Sequence, residues 1–204
     1  MMTLPELAVD ALEKFLGTYM RRRFGSQTPL AEIVPNAARI ALECIGNSDA
    51  LFHNVEHTLL VTLAGHDILR GWTLHTHLTA EDYAHVIIAC LLHDIGYVRG
   101  VLKDDDVDGF VIDSTGKKLT LPRGASDAAL MPHHVDRSKL YVMERIEGIA
   151  PLDKQRIADA IEGTRFPPGV ANGRREDDEA SIVTRNFTGT PSPLTSRPPY
   201  AIST

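Results

Sequence analysis

Apolar side chains recur at steps of three and four residues along much of the chain, and this spacing predicts helices. The first helix is expected over residues 4–22 and the third over residues 54–71. The second is expected over residues 35–47, with Pro35 at its start and Gly46 at its stop.

The second half of the chain continues this pattern around one irregular stretch. A fourth helix is expected from Thr79 to about Gly96, and its middle is apolar nearly all round, which places it centrally. Residues 97–125 look irregular, and their run of aspartates is expected to be a solvated loop. Helical spacing returns over residues 126–149 and 153–163. No sustained alternation predicts a sheet, so the chain is expected to be all-α.

The last part of the chain has a different composition. Residues 167–169 read Pro-Pro-Gly, a highly charged stretch follows, and the final fourteen residues contain four prolines. Such a sequence has too few apolar residues to form a packed core. We therefore expect one helical domain over residues 1–168 and a disordered or aberrant tail over residues 169–204.

The charge and hydropathy of the chain limit the kinds of molecule that it is expected to bind. The formal net charge is -6 and the pI about 5.8, so long-range attraction to a nucleic-acid polymer is not expected. No run approaches the ~18 apolar residues of a membrane helix. Acidic residues interrupt the N-terminal segment too early for a secretion signal. We expect a cytoplasmic protein without a membrane partner, and a homodimer is left open.

Histidine and aspartate residues provide the candidate chemistry. His57 lies in the third predicted helix, His93 at the end of the fourth, and His134 near the start of another, while Asp94 directly follows His93. Imidazoles and a carboxylate from separate helices are a common way to bind a divalent ion in a bundle. The alternatives are a core histidine at position 93 and a surface aspartate at a helix end.

Three segments resemble the HD superfamily of metal-dependent phosphohydrolases. ACLLHDIGY, residues 89–97, resembles the His-Asp motif that names the superfamily. FHNVEHTLLV, residues 52–61, is similar to its first metal-ligand motif, in the form found in cyclic nucleotide phosphodiesterases, with Phe52 in place of tyrosine. HHVDRSKLYV, residues 133–142, resembles a later histidine segment of bacterial members. The resemblance covers about residues 35–165 and implies an HD-domain helical bundle.

The resemblance also implies roles for individual residues. His57, His93 and Asp94 would be metal ligands, and His134 would complete a second metal position. His53 would act as general acid, and Asp94 would bridge or orient the ions. One or two divalent ions are expected, and mixed nitrogen and oxygen ligands do not distinguish manganese, iron, magnesium, nickel and zinc.

The implied activity is metal-dependent hydrolysis of a small phosphate ester, with nucleotides and cyclic nucleotides among the candidate substrates. Arg99 and Arg137 are candidates to bind the substrate phosphate, although Arg137 is also expected on a helix surface. One feature departs from the superfamily pattern, because no closing aspartate in an apolar setting follows Thr164; only Asp177 and Asp178 remain. We therefore hypothesise a truncated or replaced C-terminal part.

Two other interpretations of the sequence remain open. A non-catalytic metal-binding or ligand-sensing HD domain would tolerate the loss of a late ligand. A di-iron site of the kind found in HD oxygenase-like proteins would need more histidine and carboxylate ligands than the sequence offers.

Overall fold

The computed structural model describes residues 3–165 and confirms the all-α class. Within these residues the α-helices are α1 (Leu4–Phe24), α2 (Leu30–Ile45), α3 (Val55–Trp72), α4 (Ala80–Leu92), α5 (His134–Arg145) and α6 (Lys154–Glu162). Two 3₁₀ segments, Ile95–Tyr97 and Asp127–His133, precede α5. None of these helices is long and apolar enough to cross a membrane. The tail predicted over residues 169–204 lies outside the described residues.

Helix α4 is the central element, as its apolar sequence predicts. It packs against α2, α3 and α6, and nearly all of its side chains are buried. Thr79 begins the helix as its N-cap, because its hydroxyl accepts a hydrogen bond from the backbone N–H of Asp82 while Asp82 bonds back to the Thr79 N–H. The helix ends at Leu92. His93 and Asp94 follow directly after it, at the centre of the fold.

The beginning of α2 differs from the sequence-based prediction. Helix α2 begins at Leu30 rather than at Pro35, because the additional turn buries Leu30, Ala31 and Val34. Pro35 then lies inside the helix, where its ring removes one backbone donor without ending the helix.

The second difference is a short hairpin inside the stretch predicted to be irregular. Strand β1 (Phe110–Val111) pairs antiparallel with β2 (Lys118–Leu119), and Phe110 lies opposite Leu119. Strands of two residues are too short to show the alternation that predicts a sheet from sequence.

A buried ion pair joins the hairpin to the helices and corrects two predictions. The side chains of Arg137 and Asp105 are both completely buried, and Nη2 of Arg137 lies 2.9 Å from Oδ2 of Asp105. Arg137 also donates hydrogen bonds to the backbone carbonyls of Gly96, Val98 and Val111. The predictions of a surface Arg137 that binds substrate and of a solvated Asp105 are therefore wrong. Both side chains hold together the turn that follows α4.

We predict that Arg137→Met lowers the free energy of unfolding by about 3–5 kcal/mol, because it leaves the buried Asp105 carboxylate without its cation. Urea denaturation followed by circular dichroism measures this change. Arg145→Met is the matched control on the same helix, since Arg145 is exposed, and it should change stability by no more than about 0.5 kcal/mol. Equal stability of the two variants would contradict the structural role of Arg137.

Candidate metal centre

Four histidines from three parts of the fold surround one aspartate. His53 lies in the turn before α3, His57 in the first turn of α3, and His134 at the start of α5. His93 is the C-cap residue of α4, and Asp94 follows it with φ -108° and ψ 4°. This departure from helical geometry lets the two neighbouring side chains, His93 and Asp94, point into one cluster.

Asn54 fixes the spacing of the first two histidines. Its side-chain oxygen accepts a hydrogen bond from the backbone N–H of His57 at 3.1 Å, which caps α3. Its amide nitrogen donates to the backbone carbonyl of Leu51 at 2.9 Å. The cap places His53 just before the helix and His57 in its first turn, so both imidazoles reach the same aspartate.

The carboxylate of Asp94 is the centre of this cluster. Its Oδ2 lies 2.8 Å from Nδ1 of His53, 2.9 Å from Nε2 of His93 and 3.2 Å from Nε2 of His57. Its other oxygen, Oδ1, lies 3.7 Å from Nε2 of His134. Asp94 is buried, so these imidazoles are the polar groups that offset the loss of its hydration.

Two of the imidazoles are oriented by backbone carbonyls. Nδ1 of His93 lies 2.8 Å from the carbonyl oxygen of Cys90, and Nδ1 of His134 lies 2.5 Å from that of Met131. Because a carbonyl oxygen only accepts, Nδ1 carries the proton in both rings. In the neutral form of each ring Nε2 is therefore the atom that holds the lone pair, and it faces Asp94; a protonated His93 donates from Nε2 to Asp94 instead. Metal-binding histidines usually have this second hydrogen bond.

The spacing of the inner atoms fits a small divalent ion. Nε2 of His57 and Nε2 of His93 are 3.3 Å apart, and each lies 2.9–3.2 Å from Oδ2 of Asp94. Ligands bound at about 2.1 Å lie about 3.0–3.4 Å from one another in octahedral or tetrahedral coordination. His53, His57 and Asp94 also form a metal-compatible group whose ligand atoms are within 4.8 Å of each other.

Burial and charge shift the pKa values within the cluster. Burial lowers the pKa of His57 and of His134, which favours their neutral, lone-pair-bearing forms. Burial alone would lower the pKa of His93, but its hydrogen bond to Asp94 and the charge of Asp94 raise it overall. Burial likewise opposes ionisation of Asp94, but the hydrogen bonds and charges of His93 and His53 hold its pKa well below the usual range.

The cluster opens to solvent on the side of the first two histidines. The side chains of His53 and His57 are 35% and 38% exposed, whereas those of His93 and Asp94 are 9% and 3% exposed. A small molecule from solvent would therefore reach the cluster past His53 and His57.

Gly96 and Ser138 hold the turn of the cluster against α5, and the sequence analysis assigned neither residue a role. The hydroxyl of Ser138 accepts a hydrogen bond from the Gly96 N–H at 2.9 Å and donates to the His93 carbonyl at 2.8 Å. A Cβ atom at Gly96 would lie 2.0 Å from the backbone oxygen of His134. A sequence signal existed for Ser138, because it lies four residues after His134 on one helix face.

Comparison with family models gives one match. Residues 2–188 of the 204-residue chain match the model of a family described as Npun_R2479-like. The chain belongs to the Npun_R2479-like family. No curated protein and no solved structure matches this Npun_R2479-like chain. The family match continues past residue 168, the predicted end of the helical domain, and the residues from 166 onward lie outside the part that the structure describes.

The structure brings together five of the seven site residues predicted for this Npun_R2479-like protein. His53, His57, His93, Asp94 and His134 form the cluster. Arg137 is excluded by its buried pair with Asp105. The guanidinium of Arg99 contacts the carboxylate of Asp127 and the backbone carbonyl of Ala125, and its role as a substrate ligand stays a prediction.

We predict that Gly96→Ala lowers the free energy of unfolding by about 1–3 kcal/mol, because its methyl group would overlap the His134 carbonyl. Gly71→Ala is the matched control, since the space around Gly71 in α3 is open. It should raise stability by at most about 1 kcal/mol through the better helix propensity of alanine. Opposite signs in urea denaturation are expected, and a neutral Gly96→Ala would contradict the close approach of the turn to α5.

Proposed function

We propose that this protein binds one or two divalent metal ions at the cluster around Asp94 and hydrolyses small phosphate esters. The observation that carries the proposal is the triangle formed by Nε2 of His57, Nε2 of His93 and Oδ2 of Asp94, whose sides are 2.9–3.3 Å. These are the separations expected between ligands of one ion. The resemblance of residues 52–61 and 89–97 to HD-superfamily motifs supports the choice of phosphate esters.

The bound metal supplies a water of lowered pKa and positive charge for the phosphoryl oxygens. The residues of the chain orient the ligand atoms and supply the proton. Asp94 is anionic and buried, so it holds the histidines in place around its two oxygens. His93 and His134 are fixed by backbone carbonyls, so their Nε2 atoms face the cluster.

His53 is placed to donate a proton to the leaving group. Its Nδ1 lies against Oδ2 of Asp94 at 2.8 Å, which leaves Nε2 as the nitrogen available to a substrate. Its side chain is 35% exposed, on the open side of the cluster. In the proposed reaction the oxygen of water bonds to phosphorus and its proton passes to solvent. The bond to the leaving oxygen breaks, that oxygen takes a proton from Nε2 of protonated His53, and His53 regains a proton from solvent.

One observation favours the second candidate, a non-catalytic metal-binding or ligand-sensing domain. The HD pattern closes with an aspartate on a late helix. Helix α6 has a single aspartate, Asp159, which is exposed and accepts a hydrogen bond from Gln155. Asp177 and Asp178 lie outside the described residues. Metal binding without turnover is the result that would select this second candidate.

We predict that the wild-type chain, reconstituted with Mn²⁺ or Fe²⁺, retains metal near one or two ions per chain. Asp94→Asn should lose it, because the amide lacks the charge that offsets the cation. Elemental mass spectrometry after gel filtration measures metal per chain. Asp127→Asn is the matched control, since Asp127 is also buried but pairs with Arg99, and it should keep its metal. Equal metal in wild type and Asp94→Asn would rule out this site.

We predict that the effect of His53→Gln on turnover depends on the leaving group. With 4-nitrophenyl phosphate the change should be small, because 4-nitrophenoxide leaves without protonation. With phenyl phosphate the loss should be about 100- to 10,000-fold, the usual contribution of a general acid. His75→Gln, at an exposed histidine between α3 and α4, is the control and should leave both rates unchanged.

Metal content must be measured on the same preparations of His53→Gln. An equal loss for both substrates with metal retained would contradict the role of proton donor. A loss of metal in parallel with both rates would instead make His53 a ligand.

A further inference from the structure

The ring of Tyr97 stacks nearly parallel against two histidines of the cluster. The ring centroids of Tyr97 and His53 are 4.3 Å apart with an interplanar angle of 17°. The ring centroids of Tyr97 and His134 are 4.6 Å apart with an interplanar angle of 21°. His53 and His134 belong to different parts of the fold, and their ring centroids are 6.1 Å apart. The tyrosine ring is therefore the shared contact between them.

The backbone on both sides of Tyr97 is held firmly. Arg137 donates hydrogen bonds to the carbonyls of Gly96 and Val98, the residues before and after the tyrosine. The Gly96 N–H is bonded to Ser138. Tyr97 itself is only 1% exposed, so its ring has little freedom to tilt. A rigid ring against which both imidazoles stack fixes the planes of both imidazoles.

We infer that Tyr97 is a positioning residue, whose ring presets the orientation of His53 and His134 on the two oxygens of Asp94 before any ion binds. This inference rests on the proposed function, since the orientation of the two rings matters for function only if the cluster binds metal. The nitrogen of His53 meets Oδ2 and that of His134 meets Oδ1. Parallel stacking on one ring is what directs two side chains from separate elements to opposite oxygens.

His134 depends most on this contact. Its Nε2 is 3.7 Å from Oδ1 of Asp94, the longest of the four histidine contacts. The hydrogen bond to the Met131 carbonyl fixes one atom of the ring but leaves rotation about that bond. The face of Tyr97 removes that freedom. Stacked aromatic pairs add stabilisation beyond the burial of their area, so the arrangement persists in the metal-free protein.

A tyrosine with a purely structural role would contribute to stability without orienting the two histidine rings. Three variants separate this structural role from the positioning role. Tyr97→Phe keeps the ring and removes the hydroxyl, whereas Tyr97→Leu removes the ring. Tyr141→Leu is the matched control, because Tyr141 is also buried, on α5, and makes no ring contact with the cluster histidines within the described residues. Urea denaturation reports how much stability each variant loses.

The first measurement uses metal-free protein. The ring protons of His53 and His134 lie over the face of Tyr97, so their NMR resonances should be shifted upfield, with assignments from His53→Gln and His134→Gln. The upfield shifts should persist in Tyr97→Phe and Tyr141→Leu and disappear in Tyr97→Leu. Retention of the shifts in Tyr97→Leu would overturn the inference.

The second measurement is the dissociation constant of Mn²⁺ in competition with a chelator. Tyr97→Leu should weaken binding by about 10- to 100-fold, the range for residues that orient metal ligands. Tyr97→Phe and Tyr141→Leu should bind like the wild type. Unchanged affinity in Tyr97→Leu, or an equal loss in Tyr97→Phe, would overturn the inference alone. If the wild-type chain binds no metal, the proposed function fails and this inference fails with it.

Discussion

The burial of the Asp94 carboxylate is the constraint on which the site depends. An ionised carboxylate removed from water is stable only where positive charge or hydrogen-bond donors surround it. The chain meets this requirement with imidazoles from the turn before α3, the first turn of α3, the end of α4 and the start of α5. The carboxylate thus connects three parts of the bundle. The geometry of the site therefore depends on how these helices pack against one another.

A second buried charge makes this arrangement possible. The turn after α4 has few hydrogen bonds of its own, yet it must hold Asp94, Gly96 and Tyr97 in fixed positions. Arg137 supplies the missing donors by bonding the carbonyls of Gly96 and Val98, and Asp105 from the following loop neutralises its charge. Asp105, in the loop after the motif, therefore supports the site from behind. Gly96 completes the contact because any side chain there would overlap α5.

The sequence predicted the helices and the inner residues better than the supporting contacts. Helical spacing located α3 and α4, and His57, His93 and Asp94 stood out because charged and imidazole groups interrupt apolar helices. Arg137 was predicted to lie on the surface because a cation on an amphipathic helix is ordinarily solvated. Its partner Asp105 is brought to it by the hairpin, whose strands have two residues each and are too short to predict. Tyr97 carried no signal of its role, because its two partners are far from it in the chain.

The two buried carboxylates of this protein offer a comparison that bears on the metal proposal. Asp105 pairs with one guanidinium and accepts hydrogen bonds from the backbone N–H groups of Leu102 and Val111, so a single cation suffices where the need is only structural. Around Asp94 there are four imidazoles. The hydrogen bond and charge of Asp94 raise the pKa of His93 despite its burial, while burial lowers the pKa of His57 and of His134. One protonated imidazole would already balance the charge of Asp94. The neutral rings of His57 and His134 add lone pairs beside a carboxylate, an arrangement that is unfavourable by itself and favourable around a divalent ion. The surplus of lone pairs, rather than the motif alone, is the strongest physical reason to expect metal here.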